Sequence, residues 1–108
     1  MTSVEISQIQ TLVSSGKIVW TEHVALRLRE RGIKRSDLIE CIMSGEIIEQ
    51  YPEDTPYPSC LVLGVCEAGK PIHIVVGLNV GIMCCMITAY RPDSDKWEVD
   101  FKIRKVGK

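Results

Sequence analysis

The chain has 108 residues and a mass of 12.1 kDa, which is the length of one domain. Hydrophobic residues make up 45% and charged residues 25% of it, an ordinary composition for a globular protein. The formal net charge is -1, from 13 Lys and Arg against 14 Asp and Glu. This balance argues against a uniformly basic nucleic-acid binder and against an acidic disordered tail.

The N-terminal part of the chain predicts three helices, because apolar residues recur there at helical spacing and a glycine follows each segment. The first helix is expected over about residues 3–14, with Thr2 and Glu5 at the spacing of a capping box and Gly16 after its end. Residues 18–20 follow as a short extended link.

The second and third predicted helices have clear start and stop signals. Thr21 can cap the second helix, and Gly32 can end it in a left-handed conformation. Ser36 can cap the third helix, which Gly45 follows. The agreement of these signals with the apolar spacing favours a helical first half.

Beyond the third helix the apolar pattern becomes that of strands, which are predicted at residues 47–51, 61–66, 72–78 and 83–90. Residues 52–58 hold three prolines and are expected to form a loop. Short connections between the strands predict an antiparallel meander. Residues 97–104 alternate apolar and polar side chains and fit either an edge strand or a helical turn.

The order of these elements predicts an α+β fold, with two to three N-terminal helices packed on one face of a small antiparallel meander sheet of four to five strands. We expect a single domain over residues 1–108. Its parts are a helical half at 1–45, the sheet at 46–91 and a basic C-terminal tail at 92–108.

Side-chain alternation predicts two unlike faces of the sheet. The apolar, helix-packed face is expected to hold Leu61, Leu63 and Val65 of one strand and the even-numbered residues 72–78 of the next. The second face is expected to display His73, Thr88 and Tyr90, together with Met86. It is either open to a ligand or covered by the tail or a partner.

Charge is unevenly distributed along the chain. Residues 27–35 hold five basic side chains, 36–69 hold seven acids and no Lys or Arg, and 91–108 hold six basic side chains. Within the first basic segment, Arg27 and Arg31 follow His23 at successive four-residue steps, so the three share one helix stripe. Such a stripe suits phosphate binding, and equally an ordinary solvated helix surface.

The cysteines and the N-terminal sequence indicate which cofactors and which cellular compartment to expect. The five cysteines contain no CxxC pair, and their spacing does not suit zinc, so neither a metal site nor a cofactor is expected. No signal peptide and no apolar run of membrane-spanning length stands out, so no membrane association is expected. The expected location is cytoplasmic, with reduced thiols.

Five strings in the sequence carry a resemblance, and they cover residues 20–33, 45–52, 56–64, 70–76 and 88–93, with Trp97 after them. In this order they resemble the bacterial and archaeal family called domain of unknown function 4258, from about Ile18 to Arg104. Members of that family look like distant relatives of the RelE-type toxins of type II toxin–antitoxin systems.

The resemblance implies a RelE-like fold and a toxin that cleaves messenger RNA without a metal. It further implies RNA as substrate and, as partner, a small antitoxin protein with a YgiT-type zinc finger. A homodimer is also plausible, since an exposed strand at residues 46–51 or the tail could pair with a second copy.

RNA cleavage through the 2'-hydroxyl needs a base, a cation at the phosphorane and an acid for the leaving oxygen. The resemblance carries these roles to the following residues: His23 or His73 as proton carrier, Arg27 and Arg31 as phosphate grips, Tyr90 as a stacking or proton-donating group, and Arg91 and Arg104 nearby in sequence.

Two features keep other functions open. The strands at 60–66 and 72–78 carry no Lys or Arg, whereas the sheet face of strongly active RelE-type toxins is basic. The helix stripe and the second face of the sheet, with His73 and Tyr90, can lie on opposite sides of the sheet. In that case only one of them can be the site, and the side chains of the stripe, His23, Arg27 and Arg31, tie their helix to its neighbours. The alternatives are a non-catalytic module that binds RNA or protein, and a degenerate relative that only binds its antitoxin.

Overall fold

A computed structural model describes residues 3–66 and 69–106 of the chain. Within them the elements are helix α1 (Ile6–Ser14), strand β1 (Ile18–Trp20), helices α2 (Glu22–Arg31) and α3 (Arg35–Ser44), and strands β2 (Glu46–Tyr51), β3 (Ser59–Val65), β4 (Pro71–Asn79) and β5 (Met83–Tyr90). The α+β class is thereby confirmed, with helices first and most strands after them.

The five strands form one sheet in the order β1-β5-β4-β3-β2. Strands β2 to β5 pair antiparallel in sequence order, as the meander prediction requires. Strand β1 differs, because Ile18–Trp20 was expected to be a link and instead pairs parallel with Cys84 to Met86. Three residues are too few to show a strand period, and their partner lies far along the chain.

The helix ends follow the sequence signals with two exceptions, at the starts of α1 and α3. The Thr21 hydroxyl accepts a hydrogen bond from the Val24 amide at 3.1 Å, and Gly32 ends α2 at a φ of 65°. Ser36 is not the cap of α3, which begins at Arg35, because the Asp37 carboxylate already accepts from the Lys34 amide at 2.9 Å. Glu5 is not the partner of a cap at Thr2 but the cap of α1 itself, because the Glu5 amide donates to the Gln8 side chain at 3.0 Å; Thr2 lies outside the described residues.

The helices cover one face of the sheet, and the core lies between them. Register pairs Cys60 with Val76 and Val62 with Ile74, so these residues share the helix-facing side. The prediction had placed Leu61, Leu63 and Val65 there, which is wrong. Because β3 is buried on both faces from Ser59 to Gly64, apolar alternation within it carries no information about which side faces the helices.

A β-bulge in β5 changes which of its residues face the helices. Val75 pairs with Thr88 but the next residue, Val76, pairs with Met86, so Ile87 is extra. Met86 therefore lies in the helix-facing core, and not beside Thr88 and Tyr90 as alternation predicted. His73, Thr88 and Tyr90 do share the opposite side, which we call the outer face.

Residues 92–106 cross part of the outer face as an irregular segment, which we call the strap. Trp97 and Arg104 form an isolated bridge, and the Lys105 amide donates to the Lys96 carbonyl at 3.0 Å, so the segment closes on itself. It is neither the edge strand nor the helical turn that its alternation suggested. In the part of the chain described here, no helix has the length and hydrophobicity to cross a membrane.

Candidate functional site on the outer sheet face

Strand register arranges the side chains of the outer face in rows that run across the sheet. One row joins Leu63, His73 and Tyr90. The next joins Glu49, Leu61, Val75 and Thr88, and a third joins Tyr51, Ser59, Gly77 and Cys85. Polar groups thus enter the face from β2 on one side and from β4 and β5 on the other.

His73 lies under the strap, and both of its ring nitrogens have partners. Its side chain is fully buried, Nε2 lies 2.8 Å from the Phe101 carbonyl oxygen and Nδ1 lies 3.3 Å from the Tyr90 hydroxyl. A carbonyl only accepts, so Nε2 carries the proton and Nδ1 accepts from Tyr90. Burial lowers the pKa of His73 below its usual range, which keeps the ring neutral.

Aromatic rings close around this histidine. The Trp97 ring meets the His73 ring edge-on at a centroid distance of 4.5 Å, and Tyr90 does so at 5.4 Å. Phe101, whose carbonyl accepts the hydrogen bond from His73, has a φ of 60°, a conformation that non-glycine residues seldom adopt. The hydrogen bond from His73 therefore helps to hold the strap in its shape.

Glu49 and Arg104 form a two-pronged ion pair beside the buried histidine. Arg104 Nε lies 2.9 Å from one carboxylate oxygen and Nη2 lies 3.1 Å from the other. The Tyr51 hydroxyl also donates to this carboxylate. The guanidinium stacks on Trp97, with its central carbon 4.6 Å from the ring centroid. The ion pair, the Trp97 ring and the strap therefore form one cluster with the buried histidine.

Hydrogen bonds and burial shift the pKa values of the acidic groups in this cluster in opposite directions. The hydrogen bond from Arg104 is the main reason that the pKa of Glu49 lies below its usual range. Burial, followed by the hydrogen bond to Glu49, raises the pKa of Tyr51 to about 12. Burial also raises the pKa of Tyr90. At neutral pH the site therefore holds a carboxylate, a guanidinium, a neutral imidazole and two protonated phenols.

Sequence reasoning had singled out three members of this cluster, His73, Tyr90 and Arg104, and the structure brings them together. It missed Glu49, Tyr51 and Trp97. The signal for the first two was present, because residues two apart in a strand share a face and both lie in the quoted string 45–52.

The other predicted site residues lie elsewhere, on or next to α2, which packs against β5 on the helix side. His23 is exposed and Arg27 pairs with Glu30 at 2.8 Å. Arg31 Nη1 donates to the Ala89 carbonyl at 2.6 Å, and Arg91 Nη1 donates to the Arg31 carbonyl at 2.7 Å. These last two bonds tie α2 to the end of β5.

The buried thiols are not reactive, and the described residues contain no cluster of metal-binding side chains. Burial raises the pKa of Cys41 and of Cys60 to about 12 and that of Cys84 to about 11, so these thiols stay protonated and weakly nucleophilic. Within residues 3–66 and 69–106, no group of three or more His, Cys, Asp or Glu side chains is placed to hold a metal ion.

Fold and site together define a class of small α+β domain, in which helices cover one face of a mixed sheet and an acid–base cluster lies on the other. Residues 20–91 match the model of the family described as Domain of unknown function (DUF4258), which is more than half of the chain. The chain belongs to this family. No curated protein and no solved structure matches it. The family segment includes Glu49, His73 and Tyr90, whereas Trp97 and Arg104 lie beyond it.

Proposed function

We propose that the chain is a metal-independent RNA endonuclease of RelE-like type, the toxin component of a type II toxin–antitoxin system. One observation carries the proposal: a carboxylate, a guanidinium and a protonated phenol are gathered on one sheet face, at Glu49, Arg104 and Tyr90. These are the base, the cation and the acid that cleavage through the 2'-hydroxyl requires.

In this reaction Glu49 takes the proton of the 2'-hydroxyl while its oxygen attacks the adjacent phosphorus. Arg104 binds the equatorial oxygens of the phosphorane. The Tyr90 hydroxyl turns from His73 Nδ1 to the departing 5'-oxygen and gives it the proton, which leaves a 2',3'-cyclic phosphate and a 5'-hydroxyl. Strands β2 and β5, which carry the base and the acid, lie on different sides of β3 and β4 in the sheet. Both groups then regain their resting protonation by exchange with water.

The resting ion pair prepares the site for a phosphate. The hydrogen bond from Arg104 keeps Glu49 ionised but makes it a weak base. When the guanidinium turns to a phosphate, that cause is removed and the pKa of Glu49 rises toward its ordinary value. The side chain of Arg104 is 59% exposed, so RNA can reach it without removal of the strap.

In this proposal His73 is a positioning residue. Its Nδ1 accepts a hydrogen bond from the Tyr90 hydroxyl, and its Nε2 donates one to the Phe101 carbonyl in the strap, so both ring nitrogens are engaged. His23, Arg27, Arg31 and Arg91 remain a second predicted place of RNA contact, on the side of α2.

The main alternative is a non-catalytic module that binds RNA or only an antitoxin protein. The observation that favours it is that the cluster is largely closed: the strap buries His73, and Glu49 is already paired. The proposed antitoxin carries a YgiT-type zinc finger and pairs with the edge strand β2.

The experiment is to induce the chain in a bacterial host and, in parallel, to incubate purified protein with end-labelled RNA in EDTA. We expect growth arrest, rescue by the co-expressed neighbouring gene, and products with 2',3'-cyclic phosphate ends. Arg104→Ala and Glu49→Gln should each lower the cleavage rate at least 100-fold, the usual scale for one electrostatic or proton-transfer group.

Glu53→Gln, an exposed carboxylate in the loop after β2, is the matched control and should cleave as the wild type does. Melting curves must first show that each variant is folded. Intact RNA with normal growth would favour the binding module. Loss of activity in Arg27→Ala but not in Arg104→Ala would move the site to α2.

A further inference from the structure

A small apolar cavity opens on the outer face, beside the acid–base cluster. Its volume is about 230 Å³, and its lining consists of Thr55, Pro56, Tyr57, Gly77, Met83, Cys85 and Ile87. No charged side chain belongs to this lining. A loop side chain, Tyr57, supplies an aromatic wall, and the strands supply the floor.

Gly77 makes the floor, and the backbone does not require a glycine there. Its φ lies outside the left-handed region, so other residues could adopt its conformation. An added Cβ would lie 3.4 Å from Ile87 Cδ1 and 3.9 Å from Cys85 Cβ, within the cavity. Gly77 is itself buried, and what glycine provides at this position is therefore the space that a side chain would fill at the bottom of the cavity.

The cavity adjoins the proposed reaction centre. Gly77 pairs with Ser59, and Ser59 pairs with Tyr51, whose hydroxyl is bonded to Glu49. Because neighbouring strands are about 4.8 Å apart, the Tyr51 and Gly77 backbones are separated by roughly 10 Å. A nucleotide and its neighbouring phosphate can span such a distance.

The chemistry of the lining selects an uncharged planar ring. Drug-sized ligands fill pockets of about 300–1,000 Å³, so this cavity suits a smaller group. It has no cation for a phosphate, and its aromatic wall suits base stacking. Thr55 gives the rim a hydroxyl for the edge of a heterocycle.

We infer that this cavity is a nucleobase subsite, which binds the base next to the bond that is cleaved and so sets sequence preference. The inference rests on the proposed function and names a part of its substrate. Gly77 is then a specificity-determining position, since its lack of a side chain admits the ring.

The cleavage test uses short DNA strands that contain a single ribonucleotide, which fixes the cleaved bond. The base on either side is replaced in turn by an abasic residue. For the wild type, we expect at least a tenfold lower rate when the base at one of the two positions is missing. Gly77→Val should cleave the intact strand tenfold more slowly, mainly through KM, and lose the difference between intact and abasic strands.

Gly77→Ala is the milder variant, and its cleavage rate should lie between those of the wild type and Gly77→Val. Val65→Ala, on the same face but outside the cavity, should cleave as the wild type does. Melting curves check the fold of each. An abasic effect that is absent in the wild type, or unchanged in Gly77→Val, would overturn the subsite.

A second measurement separates this inference from the endonuclease proposal. Adenosine and uridine are titrated into labelled protein, with ribose 5-phosphate as the control. Shifts of the Gly77 and Cys85 amide signals with a nucleoside, absent in Gly77→Val, support the subsite even if RNA stays intact. No shifts, or equal shifts with ribose 5-phosphate, would overturn it.

Discussion

His73 shows how one buried residue can belong to a proposed site without titrating in it. Its Nε2 proton is fixed by the Phe101 carbonyl and its Nδ1 lone pair by the Tyr90 hydroxyl. Charging the ring would cost the free energy of burying an ion, so the folded chain keeps it neutral. Its contribution to stability therefore depends on pH.

The folded pKa of His73 lies below the value of about 6.5 that an exposed histidine has. Below that pH the unfolded chain binds a proton that the folded chain does not, so the free energy of unfolding falls as the pH falls. We expect urea unfolding at pH 7.5 and 5.5 to show this loss in the wild type. It should be smaller in His73→Gln, which does not titrate. Equal losses in both proteins would contradict the prediction.

Glu49 acts in the same direction but over a lower pH range. Its pKa is lowered in the folded chain, so the stability it contributes is present above its ordinary value near 4.5 and is lost as the pH falls below it. The window between pH 7.5 and 5.5 therefore reports on the histidine.

Helix α3 and strand β3 approach each other closely at Gly64. A Cβ added there would lie 2.5 Å from Cys41 Cα and closer still to Cys41 Cβ, so the helix would have to move. Gly64 thus sets the distance between the helical layer and the sheet.

We expect Gly64→Ala to lower the free energy of unfolding by about 3 kcal/mol, because overpacking against backbone cannot be relieved by a rotamer change. Gly77→Ala adds the same methyl group to the neighbouring strand, where its nearest contact is the end of a side chain, and should cost less than about 1 kcal/mol. Urea titrations measure both. Similar losses in the two variants would refute the argument.

The elements also show how far the sequence predicts this fold. The three helices were predictable because glycine stops and apolar spacing agree, although only α2 begins at its predicted cap, Thr21. The sides of β3 and β5 were not, because one strand is buried on both faces and the other contains a bulge. For the site, His73 and Tyr90 followed from alternation, but Trp97 reaches them through an irregular segment that has no period.

For the whole molecule, two long-range connections join the segment between α1 and α2 and the strap to the sheet. Strand β1 pairs with β5, and the strap is hydrogen-bonded to β2 and β4. The net charge of -1 hides this arrangement, because basic strap residues meet acids of the middle segment: Lys102 pairs with Glu46, as Arg104 does with Glu49. The basic tail is thus partly neutralised by the chain itself.

The strap should open more readily than the sheet on which it lies. The Lys102–Glu46 ion pair is largely exposed, which makes it worth about 1 kcal/mol or less, and few backbone hydrogen bonds connect the residues of the strap. Strands β3 and β4 are buried and paired on both sides. Local opening follows such differences, so the strap and the strands should exchange their amide protons as separate units.

Native-state hydrogen exchange measures this. We expect the Phe101 and Lys105 amides to exchange with a lower opening free energy than those of Ile74 and Val76, by several kcal/mol. Glu49→Gln should lower protection in the strap further, because it weakens the bond to Arg104, and leave β4 unchanged. If strap and β4 amides exchanged at the same free energy in both proteins, the strap would be part of the cooperative core, and the buried histidine would be exposed only when the whole chain unfolds.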